Sequence, residues 1–131
     1  MIFLDTDIIS YYFNADQKIR DKILEMIDHD ESINTTIINI YEILKGFRWK
    51  NSKRKETQFR EFMEDLSIFP IDDMVIDIAS NVYANLRKKG ITIGDGDILI
   101  ASVVLRNNGI LVSNNGMHYK DIEGLKLINW K

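Results

Sequence analysis

The chain has 131 residues, of which 45% are hydrophobic and 28% are charged, values typical of one soluble globular domain. It contains no cysteine, which excludes disulfides, thiolate metal sites and a cysteine nucleophile. The net charge of −3 is too small to indicate a nucleic-acid or membrane partner by itself, and no apolar run approaches the roughly 18 residues of a membrane span. Asp5 and Asp7 occupy the place where a signal peptide needs an apolar core, so we expect one cytoplasmic domain over residues 1–131.

The charge is distributed unevenly along the chain. Between residues 45 and 60 a single acid, Glu56, accompanies seven basic residues: Lys45, Arg48, Lys50, Lys53, Arg54, Lys55 and Arg60. This basic segment carries +6, which leaves −9 on the rest of the chain. Such an asymmetry indicates contact with a polyanion, although a solvated helix face is the alternative interpretation.

The predicted elements alternate between strands and helices. Short apolar runs predict strands at 2–4, 32–35, 67–71, 110–113 and 125–128, the third of them interrupted by Pro70. Helical spacing predicts helices at 8–13, 16–28, 36–46, 52–65, 75–89 and 98–105, the fifth of them stopping at Gly90. Because strands separated by helices form parallel sheets that are covered on both faces, the pattern predicts an α/β fold.

Polar residues follow two of the predicted strands. Asp5 comes directly after the first strand, and Ser113, Asn114 and Asn115 follow the apolar run at 110–112. Open parallel sheets bind ligands beyond the carboxyl ends of their strands. We therefore expect the functional site at that edge of the sheet.

Two further carboxylates belong to otherwise apolar segments. Asp97 shares its helical stripe with the core residues of the helix that follows, whereas Asp95, about 200° away around the helix, is better placed as its N-cap. Between residues 37 and 44 the only polar residues are Asn39 and Glu42. One of these two side chains must therefore enter a largely apolar neighbourhood.

Each acid also has a purely structural interpretation. Asp5, Asp7 or Asp97 alone is commonly a helix cap, and Glu42 alone pairs readily with a cation such as Lys45. Three carboxylates from distant segments at one sheet edge would nevertheless repel each other, and a hard divalent cation removes that repulsion. Since the chain has no cysteine and its two histidines follow no ligand spacing, we expect Mg²⁺ or Mn²⁺ rather than zinc.

Four motifs in order carry a family resemblance. They are the strand and aspartate at 3–10, the segment 41–46 around Glu42, the segment 93–101 around Asp97, and the segment 111–115, followed by a tail that ends near Trp130. Together they cover essentially the whole chain and resemble the PIN-domain ribonucleases, and among them the VapC toxins of toxin–antitoxin pairs. Many members of that family have Asp where this chain has Asn115.

The resemblance implies a PIN-like three-layer α/β/α domain whose central, mainly parallel sheet has about four or five strands. It also implies a metal-dependent endoribonuclease that acts on structured RNA such as tRNA, that a VapB-like antitoxin inhibits, and that forms a homodimer. The implied catalytic residues are Asp5, Glu42, Asp97 and Asn115, and the implied ligands of Mg²⁺ or Mn²⁺ are Asp5, Asp97 and Glu42. The RNA-binding residues would be Lys45, Arg48, Lys50, Lys53, Arg54 and Lys55.

Two other functions are open. Residues 5–7 and 94–97 resemble motifs of the haloacid-dehalogenase-like phosphatases, but Ile9 stands where that family has Thr or Val, and Ser113 follows the second motif instead of preceding it. The other alternative is an inactive PIN-like domain that binds RNA or a partner. The uncharged amide of Asn115 favours it, and the three intact carboxylates disfavour it.

Overall fold

Five short strands form one wholly parallel sheet in the computed structural model, which describes residues 1–131. The strands are β1 (Ile2–Leu4), β2 (Ile33–Thr36), β3 (Leu66–Phe69), β4 (Ile110–Val112) and β5 (Lys126–Ile128). Their order across the sheet is β3-β2-β1-β4-β5, and every neighbouring pair is parallel. The α/β prediction is confirmed.

Seven helices connect and cover these strands: α1 (Thr6–Phe13), α2 (Gln17–Asp28), α3 (Ile37–Trp49), α4 (Lys53–Met63), α5 (Asp73–Lys88), α6 (Asp95–Arg106) and α7 (Gly116–Tyr119). The hydrophobic periodicity does not predict α7, because a single helical turn is too short to show a period. None of the helices combines the length and the apolar character that a membrane crossing needs.

The side chains of alternate strand residues pack into two separate hydrophobic cores. Phe3 and Leu111 join α5 and α6 in one buried cluster, whereas Leu4 and Val112, the next residue of each strand, join α1 to α4 in the other. Side chains of successive strand residues point to opposite faces of a sheet. The sheet is therefore covered on both faces, which makes the three-layer α/β/α arrangement that was predicted.

Several element ends differ from the prediction. β3 stops before Pro70, since proline has no backbone N–H for the ladder. α3 continues through Gly46 to Trp49, because a glycine inside a helix costs only about 1 kcal/mol. α6 begins at Asp95 with Gly94 as its N-cap, so the prediction that Asp95 caps this helix is wrong.

The strand order places a crevice at the carboxyl end of β1. From β1 the chain builds β2 and β3 on one side and later β4 and β5 on the other. The connections leaving β1 and β4 therefore diverge to opposite faces of the sheet, which opens a crevice between the ends of these strands. Asp5 directly follows β1 and Ser113 directly follows β4, so both lie at its base.

Candidate active site

Asp5 lies where β1 turns into α1. It is buried, with 4% of its surface exposed, and it is the N-cap of α1, which begins two residues earlier than predicted. Its Oδ1 accepts hydrogen bonds from the Thr6 N–H at 2.9 Å and from Asn39 Nδ2 at 3.1 Å, and its Oδ2 accepts one from Ser113 Oγ at 2.8 Å. The cap interpretation is thus correct, and contacts from two other elements also fix the carboxylate in one orientation.

Glu42 is linked to Asp5 through two polar side chains. Asn39, which is fully buried, donates from Nδ2 to Thr6 Oγ1 at 3.0 Å as well as to Asp5. The Thr6 hydroxyl then donates to Glu42 Oε1 at 2.6 Å. Glu42 takes part in none of the salt bridges of the chain, so the alternative that it pairs with Lys45 is wrong.

Asp97 lies in the first turn of α6 and faces α7. The Tyr119 hydroxyl donates to Asp97 Oδ1 over 3.3 Å, and His118 Nδ1 lies 3.0 Å from Asp97 Oδ2. The neighbouring Gly96 faces Glu42, since a Cβ built on it would lie 3.5 Å from Glu42 Oε2. The beginning of α6 therefore brings Asp97 and Glu42 to the same crevice.

Burial and neighbouring charge both oppose ionisation in this crevice. Burial raises the pKa of Asp5 and the charge of Asp97 adds to that rise, against the hydrogen bonds from Ser113 and Thr6, which lower it. Burial also raises the pKa of Tyr119, as do the charges of Asp5 and Asp97, so its hydroxyl stays protonated and donates. A cation placed here would relieve the repulsion between the two carboxylates.

Asp7 lies in the first turn of α1, two residues after Asp5. Burial and the charge of Asp5 raise its pKa to about 6. Its Oδ2 accepts a hydrogen bond from the Asn114 N–H at 2.9 Å, whereas its Oδ1 is buried without a partner. When this carboxyl is ionised, it therefore has a buried oxygen without a hydrogen-bond donor, which favours the protonated form.

We expect Asp7→Asn to stabilise the metal-free protein at about pH 7.5 but not at about pH 4. A carboxyl whose folded-state pKa is raised contributes stability while it is neutral, and this contribution is lost as the pH rises through the folded-state value of about 6. The raised pKa corresponds to at most about 3 kcal/mol of unfolding free energy, and the partial exposure of Asp7 reduces this to about 1–2 kcal/mol. Urea unfolding in EDTA measures it, and an equal effect of the substitution at both pH values would contradict the raised pKa.

The donor atoms of the crevice suit a hard cation. No group of three or more carboxylate or imidazole side chains lies close enough together to hold a metal ion. Mg²⁺ keeps several of its waters and often uses only one or two carboxylates, and Asp5 and Asp97 offer oxygens of that kind. The predicted ligands Asp5, Asp97 and Glu42 therefore do not form a closed cluster, and their roles as ligands stay predictions.

The side chain of Asn115 stays outside this network. Its N–H donates to Ser113 Oγ at 3.0 Å, and its exposed side chain makes no hydrogen bond. Its catalytic role stays a prediction.

Sequence reasoning leaves out Asn39, Ser113 and Tyr119 as members of the site. A signal existed for two of them. Ser113 follows β4 as Asp5 follows β1, and Asn39 is one of only two polar residues in an apolar stretch.

The basic segment flanks a groove that includes Glu42. This groove, of about 190 Å³, runs between α1 and α3 and is lined by Thr6, Glu42, Lys50 and Lys55, among others. A chain of phosphates in the groove would therefore meet both the acidic crevice and two lysines.

The remaining basic residues differ in their local contacts. Arg48 Nε lies 3.2 Å from Glu56 Oε1, so this cation is already partly neutralised. Lys53, Arg54 and Lys55 take part in no salt bridge and are exposed. Their charge is therefore available to a ligand, as is that of the exposed and unpaired Lys50.

A model of the PIN domain family matches residues 2–124, so the chain belongs to the PIN-domain family. The predicted resemblance is confirmed, and the alternative of a haloacid-dehalogenase-like phosphatase is wrong.

Similar proteins lie within the VapC group of that family. The chain is 29% identical to ribonuclease VapC2 of Rickettsia felis over 97% of its own length and 96% of that protein. It is also 29% identical to ribonuclease VapC1 of Methanocaldococcus jannaschii, over 96% of this chain and 85% of the relative. The solved structure of Rickettsia felis VapBC2 bound to a promoter DNA fragment superimposes with a TM-score of 0.90 over 100% of both chains, at 28% identity. The chain is thus a homologue of the VapC ribonucleases, which are typically metal-dependent.

Proposed function

We propose that this chain is a metal-dependent endoribonuclease of a single domain, residues 1–131, and the cytoplasmic toxin component of a VapBC-type toxin–antitoxin pair. The observation that carries the proposal is the convergence of Asp5, Glu42 and Asp97 on the crevice at the carboxyl end of β1, in a chain of the PIN-domain family. The homology with VapC ribonucleases over nearly the whole chain supports the same function.

Mg²⁺ or Mn²⁺ would be held by Asp5 and Asp97, with Glu42 completing the site directly or through water, and would supply Lewis acidity toward water and phosphate oxygens. Ser113 and Asn39 hold the two oxygens of Asp5 in place, and Tyr119 orients Asp97.

The same network leaves Glu42 with one oxygen that can act on water. The Thr6 hydroxyl already donates a hydrogen bond to Glu42 Oε1. Glu42 Oε2 would therefore be the atom that takes a proton from a water molecule as this water attacks phosphorus. Asn115 would orient water beside this site through its amide.

The substrate would be RNA whose phosphates contact the basic segment. Lys50 and Lys55 line the groove that includes Glu42, and Lys53 and Arg54 are exposed beside them. Lys45 and Arg48 belong to the same helix as Glu42. A structured RNA such as tRNA is the expected target.

The proposed partners are an antitoxin and a second copy of the chain. The similar solved structures are VapBC and FitAB complexes by name, which supports a VapB-like antitoxin for this chain. A homodimer is also expected.

Removal of metal tests the function directly. We expect the purified protein to cleave RNA with Mg²⁺ or Mn²⁺, to stop when EDTA is added, and to recover when the metal is restored in excess. The antitoxin must be absent during the assay, since it would mask the site. Undiminished cleavage in EDTA would contradict metal dependence, and RNA binding without any cleavage would favour the inactive PIN-like domain instead.

A further inference from the structure

An exposed aromatic and basic stripe runs along α3. Tyr41, Lys45 and Trp49 follow one another at intervals of four residues, so they lie on neighbouring turns of one side of the helix. Tyr41 is 61% exposed and Trp49 is 87% exposed, and Lys45 Nζ lies 5.0 Å from the centre of the Tyr41 ring. The fold gains little from a tryptophan that remains almost wholly in water.

The stripe lies beside the candidate active site. Trp49 follows Glu42 by seven residues, which on an α-helix places it about 20° around the axis and about 10 Å further along it. Lys45 lies between them on the intervening turn. A nucleic-acid strand with a phosphate at Glu42 that followed α3 would therefore pass Lys45 and reach Trp49.

We propose that Trp49 is a stacking platform for an unpaired base of the RNA, next to the phosphate that reaches Glu42, and that Tyr41 and Lys45 extend this surface. The inference rests on the proposed function, because it assumes RNA at the crevice. Aromatic rings bind bases of any sequence through their faces, and nearby cations hold the phosphates between those bases. The enzyme would thus select RNA in which a base beside the scissile bond is unpaired, such as a loop.

Charge favours RNA over a second copy of this chain as the occupant of this surface. The segment from Lys45 to Arg60 carries +6 in a chain whose remainder carries −9. A phosphate backbone matches that charge, whereas a second copy docked through the same face would set two cationic segments against each other. Exposed aromatic rings flanked by lysines and arginines are the arrangement expected of a single-stranded nucleic-acid surface.

Tryptophan fluorescence provides the first test. The chain has two tryptophans, so Trp130→Phe leaves Trp49 as the only emitter. In EDTA, which prevents cleavage, a single-stranded RNA of about 12 nucleotides should quench this emission as it binds. The same sugar–phosphate backbone without bases should leave the emission unchanged, while a fully paired duplex should quench weakly.

Affinity measurements provide the second test. We expect Trp49→Ala to weaken binding of the same RNA by about 5- to 100-fold without changing the dependence of affinity on salt, because stacking releases no counterions. Trp49→Phe should retain most of the binding. The matched control is Tyr83→Ala, which removes an exposed aromatic ring that lies under Arg87 on α5.

Five outcomes separate the alternatives. Unchanged RNA binding by Trp49→Ala, or an equal loss in Tyr83→Ala, overturns the inference. Dissociation of a dimer by Trp49→Ala in light scattering, with RNA binding intact, shows a self-association surface and also overturns it. If RNA quenches the Trp49 emission but the wild type never cleaves RNA, the stacking platform is supported and the proposed function fails. Cleavage by the wild type with normal RNA binding by Trp49→Ala refutes the platform alone.

Discussion

The Asp97→Asn variant is expected to cleave RNA at least about 100-fold more slowly than the wild type, which corresponds to about 3 kcal/mol of lost transition-state stabilisation. It should also lose the increase in melting temperature that Mg²⁺ gives the wild type. An ion that binds only the folded state adds about 2.7 kcal/mol at a concentration of 100 times its Kd. The amide keeps the shape of the side chain and its hydrogen bond from Tyr119, so the loss reports charge.

Without metal, the same variant should be more stable than the wild type. The charge of Asp97 contributes to the raised pKa of Asp5, and its removal relieves that repulsion. Asp95→Asn is the matched control, because it makes the same change one residue before Gly96 but at an exposed position beside Ile76 and Tyr83 of α5. Cleavage by Asp97→Asn at the wild-type rate, or an equal loss in Asp95→Asn, would refute the proposed role of Asp97.

The sequence predicts the layers of this fold because strand and helix periods differ sharply. Five apolar runs alternate with helical patterns, and all five are strands of one parallel sheet. Element ends are predicted less well, since they depend on single residues. Pro70 ends β3 early, and Gly94 rather than Asp95 caps α6, because a cap is decided by local backbone geometry that composition does not reveal.

The candidate site is predicted at the level of its carboxylates and not of its supporting network. Asp5, Glu42 and Asp97 stand out because charged groups in apolar stretches are costly. Asn39 and Ser113 are neutral, so this cost does not indicate them, and only their positions in the sequence do. Each of them donates a hydrogen bond to Asp5. Tyr119 reaches Asp97 from α7, a turn that periodicity cannot detect.

The first turn of α4 holds three of the available charges of the basic segment. Lys53, Arg54 and Lys55 occupy this turn, where the partial positive charge of a helix N-terminus disfavours cations. None of them has a salt-bridge partner, and all are exposed. Their placement therefore costs a little stability, and an RNA ligand that needs positive charge is the explanation we propose.

Replacing Lys53, Arg54 and Lys55 together by Gln is expected to weaken RNA binding strongly and to change its salt dependence. Each lost phosphate contact should reduce the slope of log affinity against log salt by about 0.7 to 0.9, so the triple variant should lose about two to three units of slope. Unfolding free energy should change by under about 1 kcal/mol per residue, and toward stabilisation, because three cations leave a helix N-terminus. Binding of RNA without antitoxin, measured in EDTA from low to high salt, gives the slope.

A second triple variant supplies the control for charge alone. Arg87, Lys88 and Lys89 close α5, which covers the opposite face of the sheet from α4, and their replacement by Gln removes the same three charges. Because cations near a helix C-terminus stabilise the helix, this variant should be slightly less stable than the wild type. The slope of its log RNA affinity against log salt should be nearly unchanged. Equal slopes for the α4 triple variant and the wild type would show that the basic segment is a solvated face. Equal losses in both triple variants would show that net charge, and not the placement of α4 beside the crevice, governs RNA binding.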